Sequence, residues 1–405
     1  MNLYVVMTAL FVGLAALMAA DASLTNFAVF PWFNGLRWLR VHIITLGALT
    51  EMLFGVLPVV VAIRSAQPRP RFRWDVWGTL NVGLLTLLVG IPIINQVLIF
   101  VGGTLVFIAV VLLLVQLRAM RLDVDSMAAV GSSGYPNGRK FFIVGLGYFL
   151  LGILIGTGLW LGWSDWLHIK TPIEVHIHAN NWGFLTMVFA GLIVDMYPIW
   201  MKRPLAWPHA ITPIFWMLTL GAFGLVVGPW TQSNWFTVPG MLLFIAGTIW
   251  LLLNIINPLR GDKQAWSQPG LWHLVTAYFW ILIPVLIAPL IILQVPGFPG
   301  AGIEQNAPQA LIYGWVLQFG YAVIPYFFSD LLLPNELAKL GGNWFTLLTV
   351  NLGGVFLWAG IFLSDYRELL HGTAYLLWAL SIIPVTLSLW KIMRQGLAVL
   401  EEPLQ

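Results

Sequence analysis

Residues 172–200 read PIEVHIHANNWGFLTMVFAGLIVDMYPIW, and this stretch decides what kind of protein the chain is. It is long and apolar enough to cross a bilayer, for which about 20 predominantly apolar residues suffice. Its first turns nevertheless carry Glu174, His176, His178, Asn180 and Asn181. Such groups are expensive in hydrocarbon, so they face a protein interior, a cofactor or a cavity. The chain has only seven histidines, and two of them stand here, two residues apart.

Composition extends the reading outward. Across 405 residues the chain is 60% hydrophobic and 9% charged, too little charge to cover a soluble surface, so the class is a polytopic all-α membrane protein with the lipid bilayer as its partner. The 22 tryptophans suit interfacial belts. The formal net charge of +3 is carried by scattered basic residues, which excludes nucleic acid as a partner. With no cysteine, disulfides, thiolate-held iron–sulfur clusters and covalently attached haem are excluded. A redox centre in this chain therefore draws on histidine, methionine, carboxylate or tyrosine.

Twelve apolar segments of spanning length follow one another in a single transmembrane domain over 1–405, at about 3–20, 38–63, 75–95, 96–117, 140–163, 173–200, 210–229, 235–257, 271–295, 308–332, 344–364 and 372–395. The first lacks a basic flank and reads as a retained helix rather than a signal peptide. Loops after even-numbered segments, with the C-terminus, hold Arg64, Arg69, Arg71, Arg73, Arg118, Arg121, Arg139, Lys140, Lys202, Arg203, Arg260, Lys263, Lys339, Lys391 and Arg394. The other side holds Arg37, Arg40, Lys170 and Arg367. That distribution, 15 against 4, places both termini in the cytoplasm of a cell whose inner membrane the protein spans.

This orientation sorts the histidines. His42, His176, His178 and His371 enter the outer ends of segments 2, 6 and 12, with His168 in the loop before segment 6. His209 and His273 fall at the opposite side. An internal repeat accompanies the pattern: His42-x4-Gly47, His178-x4-Gly183 and Gln309-x4-Gly314, spaced 136 and 131 residues apart, four segments each time. Twelve segments and this repeat imply three four-helix units in a pseudo-threefold arrangement.

On a helix His176 and His178 differ by about 200° in direction, so they do not chelate one ion from a regular first turn. Either that turn is distorted or each serves a different partner. His178 shares a face with Glu174 and Trp182, and His176 with Asn180; Glu174 is then placed to orient a metal-bound imidazole. The plain alternative is a polar vestibule of hydrogen-bonded histidines. His42 has Gly47 close by, a flat surface that suits a porphyrin edge or tight helix packing. Arg37 and Arg40 above it suit haem propionates or ordinary interfacial anchoring. His371 is a ligand or an interfacial cap. His273 reads as structural. Glu51, roughly 13 Å deeper than His42, is singled out as the carboxylate inside a span, with Tyr313, Gln318 and Tyr321 as further polar lining.

Twelve helices, cytoplasmic termini, the repeat and the outer histidines on helices 2 and 6 together resemble the large subunit of the haem–copper oxidase superfamily. The nearest branch is that of the nitric oxide reductases, C-type oxidases and NnrS-like proteins. The resemblance implies that His42, in RVHIITLG, is an axial ligand of a b-type haem. It also implies that His176 or His178 binds copper or non-haem iron. Helix 7 lacks the family's histidine pair, and helix 10 has Gln309 where haem-ligating histidines belong, so a complete binuclear centre is absent. What remains is one b-type haem between His42 and His371, with a reduced metal site at Glu174, His176 and His178. The function implied is a redox protein handling electrons or a diatomic gas (O2 or NO), supplied by quinol or a cytochrome, as part of a respiratory complex. The rival is a cofactor-free transporter or scaffold with a polar site lined by histidine and asparagine.

The basic asymmetry generates a direct test. Reporter fusions in the Arg64–Arg73 loop and at Lys170 should report opposite sides of the membrane; the same side for both refutes the segment count.

Overall fold

The computed structural model describes residues 2–29, 37–65, 67–120 and 138–401, except for the side chains of 37 and 399–401. Arg121 and the side chain of Arg37 therefore lie outside the described residues. Among those described, all regular structure is helical. Eleven helices are long and apolar enough to cross a membrane. In chain order they are α1 (Leu3–Asn26), α2 (Trp38–Arg64), α4 (Gln96–Ala119), α5 (Gly138–Leu161), α6 (Pro172–Met201), α7 (Pro208–Thr231), α8 (Asn234–Leu259), α9 (Pro269–Ile292), α10 (Gly300–Leu332), α11 (Trp344–Phe362) and α12 (Arg367–Glu401). Between the second and third of these lies α3 (Trp74–Gly90), an apolar helix of 17 residues, about 26 Å long and so short of a typical hydrocarbon core.

Helix starts follow local chemistry. Proline opens α6, α7 and α9, where its missing N–H would have had no partner anyway. Asn95 accepts from the Leu98 N–H ahead of α4, and Asn343 with Thr346 makes a reciprocal cap on α11. Three helices run well past their apolar segments: α1 to Asn26, α12 from Arg367 to Glu401, and α10 back to Gly300 through the polar turns GAGIEQNAPQA. Apolarity marks the part of a helix in hydrocarbon, whereas backbone hydrogen bonding continues into water.

The helices gather into two compact units, Met1–Gly55 with Asp262–Gln405, and Val56–Gly261. In the first, α12 packs along both α1 and α11, and α9 along α10. In the second, α3 with α4 and α7 with α8 form tight antiparallel pairs, and α5 lies against α4 and α6. The close pairs are built on small residues: Gly83 and Gly102 between α3 and α4, and Gly224 backbone to backbone with Gly240 between α7 and α8. Lipid is as apolar as leucine, so close backbone approach and dispersion, rather than a hydrophobic drive, hold such pairs together.

Three helices differ from the rest. α2, α6 and α10 are buried over 89%, 78% and 100% of their apolar stretch, against 39–56% for the other eight. These are the helices of the sequence repeat, and each contains a wider π-turn: Ile43–Leu49, Ala179–Leu185 and Leu311–Leu317. His42 and His178 immediately precede the first two. The third begins one residue late in the repeat register, two after Gln309, with Gly314 at its fourth position instead of its fifth. Each repeat glycine lies under an aromatic ring from the preceding helix. A Cβ on Gly47 would come to 2.6 Å from the Phe11 ring, and one on Gly314 to 2.7 Å from the Trp280 ring. A Cβ on Gly183 would collide with the Tyr148 ring. The flat surface beside His42 is thus helix packing, filled by Phe11.

A side chain at these glycines must displace a buried ring, so overpacking sets the effect. Gly183→Val and Gly314→Val should each lower stability by about 1–3 kcal/mol. Gly78→Ala on α3, where nothing lies within 4 Å of the added carbon, should leave the thermal midpoint in detergent unchanged or raise it slightly.

Candidate functional site

The π-turn of α6 starts after His178, so the preceding turn remains regular and its two histidines diverge. His176 turns to α5, where its Nδ1 bonds the Gly152 carbonyl at 2.9 Å. Asn180, one turn on, donates to the His176 carbonyl at 2.8 Å and lies 3.4 Å from its Nδ1. The groove that accepts them is made by Gly152 and Gly156, where added Cβ atoms would fall 2.5 Å from the Asn180 amide and 2.6 Å from the His176 ring.

His178 turns to α7. Its Nδ1 bonds the Leu225 carbonyl at 2.5 Å, and Trp182 meets its ring edge-on at 4.7 Å. That carbonyl is available for a local reason. Four residues on stands Pro229, within the helix and without an N–H, so the bond that would normally consume the Leu225 oxygen does not exist. The Leu225 carbonyl, rather than Glu174, is therefore the group that orients His178 at Nδ1. Glu174 is half-buried in the first turn.

In the other unit, His42 bonds the Trp38 carbonyl through Nδ1 at 2.7 Å and stacks on the Trp38 ring at 4.1 Å, 13° from parallel. A carbonyl only accepts, so in all three histidines Nδ1 carries the hydrogen and, in the neutral ring, Nε2 keeps the lone pair. This is the tautomer of a metal-ligating imidazole oriented by a backbone oxygen.

Other expected partners are placed differently. Arg40 does not reach upward from the helix end: its Nη2 pairs with Asp21 of α1 at 2.9 Å, both side chains only 6–7% exposed. The Tyr313 hydroxyl donates to the Arg40 carbonyl at 3.4 Å. His371 is buried with its Nε2 edge on α11, such that a Cβ on Gly360 would lie 2.9 Å from Nε2. His273 is fully buried, its Nε2 3.0 Å from the Thr346 hydroxyl of the α11 cap, which fits the structural role read from sequence.

Glu51 is fully buried as expected, but it is not the sole carboxylate within the helices. Asp195 of α6 is also buried; its Oδ1 accepts from the Gly138 N–H at 3.0 Å and lies 3.8 Å from Arg64 Nε. It satisfies an otherwise orphaned donor at the first turn of α5 and complements that helix's positive end. The signal was legible, since Asp195 interrupts the apolar run of residues 182–200. Asp21 was less so, because its partner lies on another helix.

His42 suits a haem iron in tautomer. Arg40 is neutralised by Asp21, so it does not suit the part the resemblance gave it, whereas His371 Nε2 lies over Gly360 of α11, buried and with no hydrogen-bond partner among the described residues. Glu174, His176 and His178 do not form one chelate, because the two imidazoles are tied to different helices. Among the described residues no three histidine, aspartate or glutamate side chains come together as a metal site. No family profile matches the chain, and no curated protein matches it in sequence.

The Asp21–Arg40 pair yields a prediction. Asp21→Asn leaves a buried guanidinium uncompensated and should lower stability by about 3–5 kcal/mol. The double variant Asp21→Leu/Arg40→Met should recover most of that loss in a chemical or thermal unfolding series.

Proposed function

We propose that the chain is a membrane-embedded b-type haem protein in which His42 supplies an axial imidazole. One observation carries this reading: the Nδ1 bond from His42 to the Trp38 carbonyl, with Trp38 stacked on the ring, leaves Nε2 as the lone-pair nitrogen. A bound b-type haem would supply one-electron exchange and an iron able to take a diatomic gas such as O2 or NO. The chain's own part is to hold and orient that imidazole. Trp38 fixes the ring plane, and the Asp21–Arg40 pair anchors α1 against the turn that carries His42. On this reading His371, whose buried Nε2 has no hydrogen-bond partner among the described residues, would be the second residue to hold the haem.

The architecture proposed with it has twelve spans, counting α3, in three four-helix units with both termini cytoplasmic in an inner membrane. Three π-turned, deeply buried helices, each with an aromatic ring over a glycine, support the threefold repeat. The likeness to the haem–copper oxidase large subunit makes quinol or a cytochrome the electron source and a larger respiratory complex the setting. Copper or non-haem iron would be held by His176 or His178 singly, since the two imidazoles are tied to different helices.

A second reading has its own support. His176 and His178 both bond carbonyls of neighbouring helices, as interhelical clamps do, which favours a cofactor-free transporter or scaffold with a polar outer chamber. One measurement separates the two. The protein purified with haem supplied should show a reduced-minus-oxidised b-type spectrum, lost or strongly shifted in His42→Ala and kept in His273→Ala. A colourless wild type assigns the chain to the second reading, and full haem after His42→Ala overturns His42 as the residue that holds the haem.

A further inference from the structure

Three large rings meet inside the unit that carries His42 and His371. Tyr313 of α10 stacks on Trp378 of α12, with ring centres 4.5 Å apart and planes 9° from parallel. Tyr375 of α12 stands edge-on to both, 5.8 Å from the Tyr313 ring and 5.3 Å from the Trp378 ring. Tyr313 and Trp378 are fully buried, and Tyr375 is buried with them.

This cluster adjoins the turns of both histidines. His371 and Tyr375 are four residues apart on α12 and so share a face, and Trp378 follows three residues on. From the other side, the Tyr313 hydroxyl donates at 3.4 Å to the carbonyl of Arg40, two residues before His42.

Hydrogen bonding decides which ring can release an electron. A phenol gives one up readily only with its proton, and the Tyr313 hydrogen is directed at a carbonyl, which is no base. An indole can lose an electron and keep its N–H. The Trp378 Nε1–H donates to the Val350 carbonyl at 3.1 Å, where it can stay. The stacked Tyr313 face then lies against the resulting positive charge, by the attraction that draws a cation to an aromatic face.

The geometry points to Trp378 as a one-electron donor toward the haem when hydrogen peroxide is the oxidant, an assignment that rests on the haem reading of His42 and His371. A bound haem supplies one-electron and O2 chemistry, and peroxide is the two-electron reduction product of O2. Hydrogen peroxide takes up two electrons and two protons, its O–O bond breaks, and two waters form. The iron gives one electron and Trp378 the other; the protons come from solvent. The reductant that serves the haem then restores Trp378. Without reductant, Trp378 gives up a second electron and takes an oxygen from water. The net exchange is tryptophan plus hydrogen peroxide to hydroxytryptophan plus water.

The test treats the haem-loaded full chain with hydrogen peroxide in the absence of reductant and maps its tryptophans by peptide mass spectrometry. Trp166 and Trp235, 78% and 88% exposed, report oxidation from solvent. Buried Trp378 should carry one added oxygen in a larger fraction of molecules than either. That modification should be lost in the chain purified without haem and in His42→Ala, with Trp166 and Trp235 oxidised as before. Oxidation confined to the exposed tryptophans while the b-type spectrum is present overturns the relay and leaves the haem reading standing. Equal oxidation of Trp378 without haem assigns it to peroxide entering from solvent and also overturns the relay. A wild type with no b-type spectrum overturns both.

Discussion

Rings laid on glycines are the contact on which the helix packing depends. Phe11 over Gly47, Tyr148 over Gly183 and Trp280 over Gly314 each bring a flanking helix onto a π-turn of a buried one. In lipid the apolar surfaces of two helices gain little by leaving the solvent for each other. Shape must therefore do what hydrophobicity does in water, and a missing Cβ is the cheapest way to make room for a ring. The wider π-turn adds a residue to the inner helix at the place where the ring sits, which re-aims the side chains on either side. His42 and His178 lie at the start of two of these turns, so the packing contact and the candidate ligands are parts of one local arrangement.

The histidines illustrate how a backbone defect elsewhere selects a side chain's chemistry. Pro229 removes a hydrogen-bond donor from α7, the Leu225 oxygen is left to find another, and His178 provides it. The bond decides which nitrogen of the ring keeps its lone pair. His42 reaches the same tautomer through a carbonyl of its own helix, and His176 through one of α5. Ligating capacity is thereby present at three places without any two forming a shared site.

Buried charge is handled by neighbours rather than by depth alone. Asp21 and Arg40 neutralise each other between α1 and α2, and Asp195 is held by the first backbone N–H of α5 with Arg64 nearby. Gly138 is required there, since a Cβ would collide with the carboxylate. Such pairs are strongly destabilising to break from one side, because the remaining group stays in a medium that cannot solvate it.

Much of this was legible in the chain alone. Apolar length marked twelve segments of spanning length, of which eleven, among the described residues, are helices long and apolar enough to cross a membrane and one is the shorter α3; the x4-Gly spacing marked the three helices that prove most buried. Helical periodicity paired His176 with Asn180 and His178 with Trp182, because residues four apart meet on any helix. Periodicity says nothing about what stands opposite. The Leu225 carbonyl freed by Pro229, the Gly360 that receives His371, and Asp21 beneath Arg40 lie 47, 11 and 19 positions away along the chain, on other helices. Those partners decided what each expected ligand touches. Side-chain roles inside a membrane bundle are set by the neighbouring helix, and only the tertiary structure brings that neighbour into place.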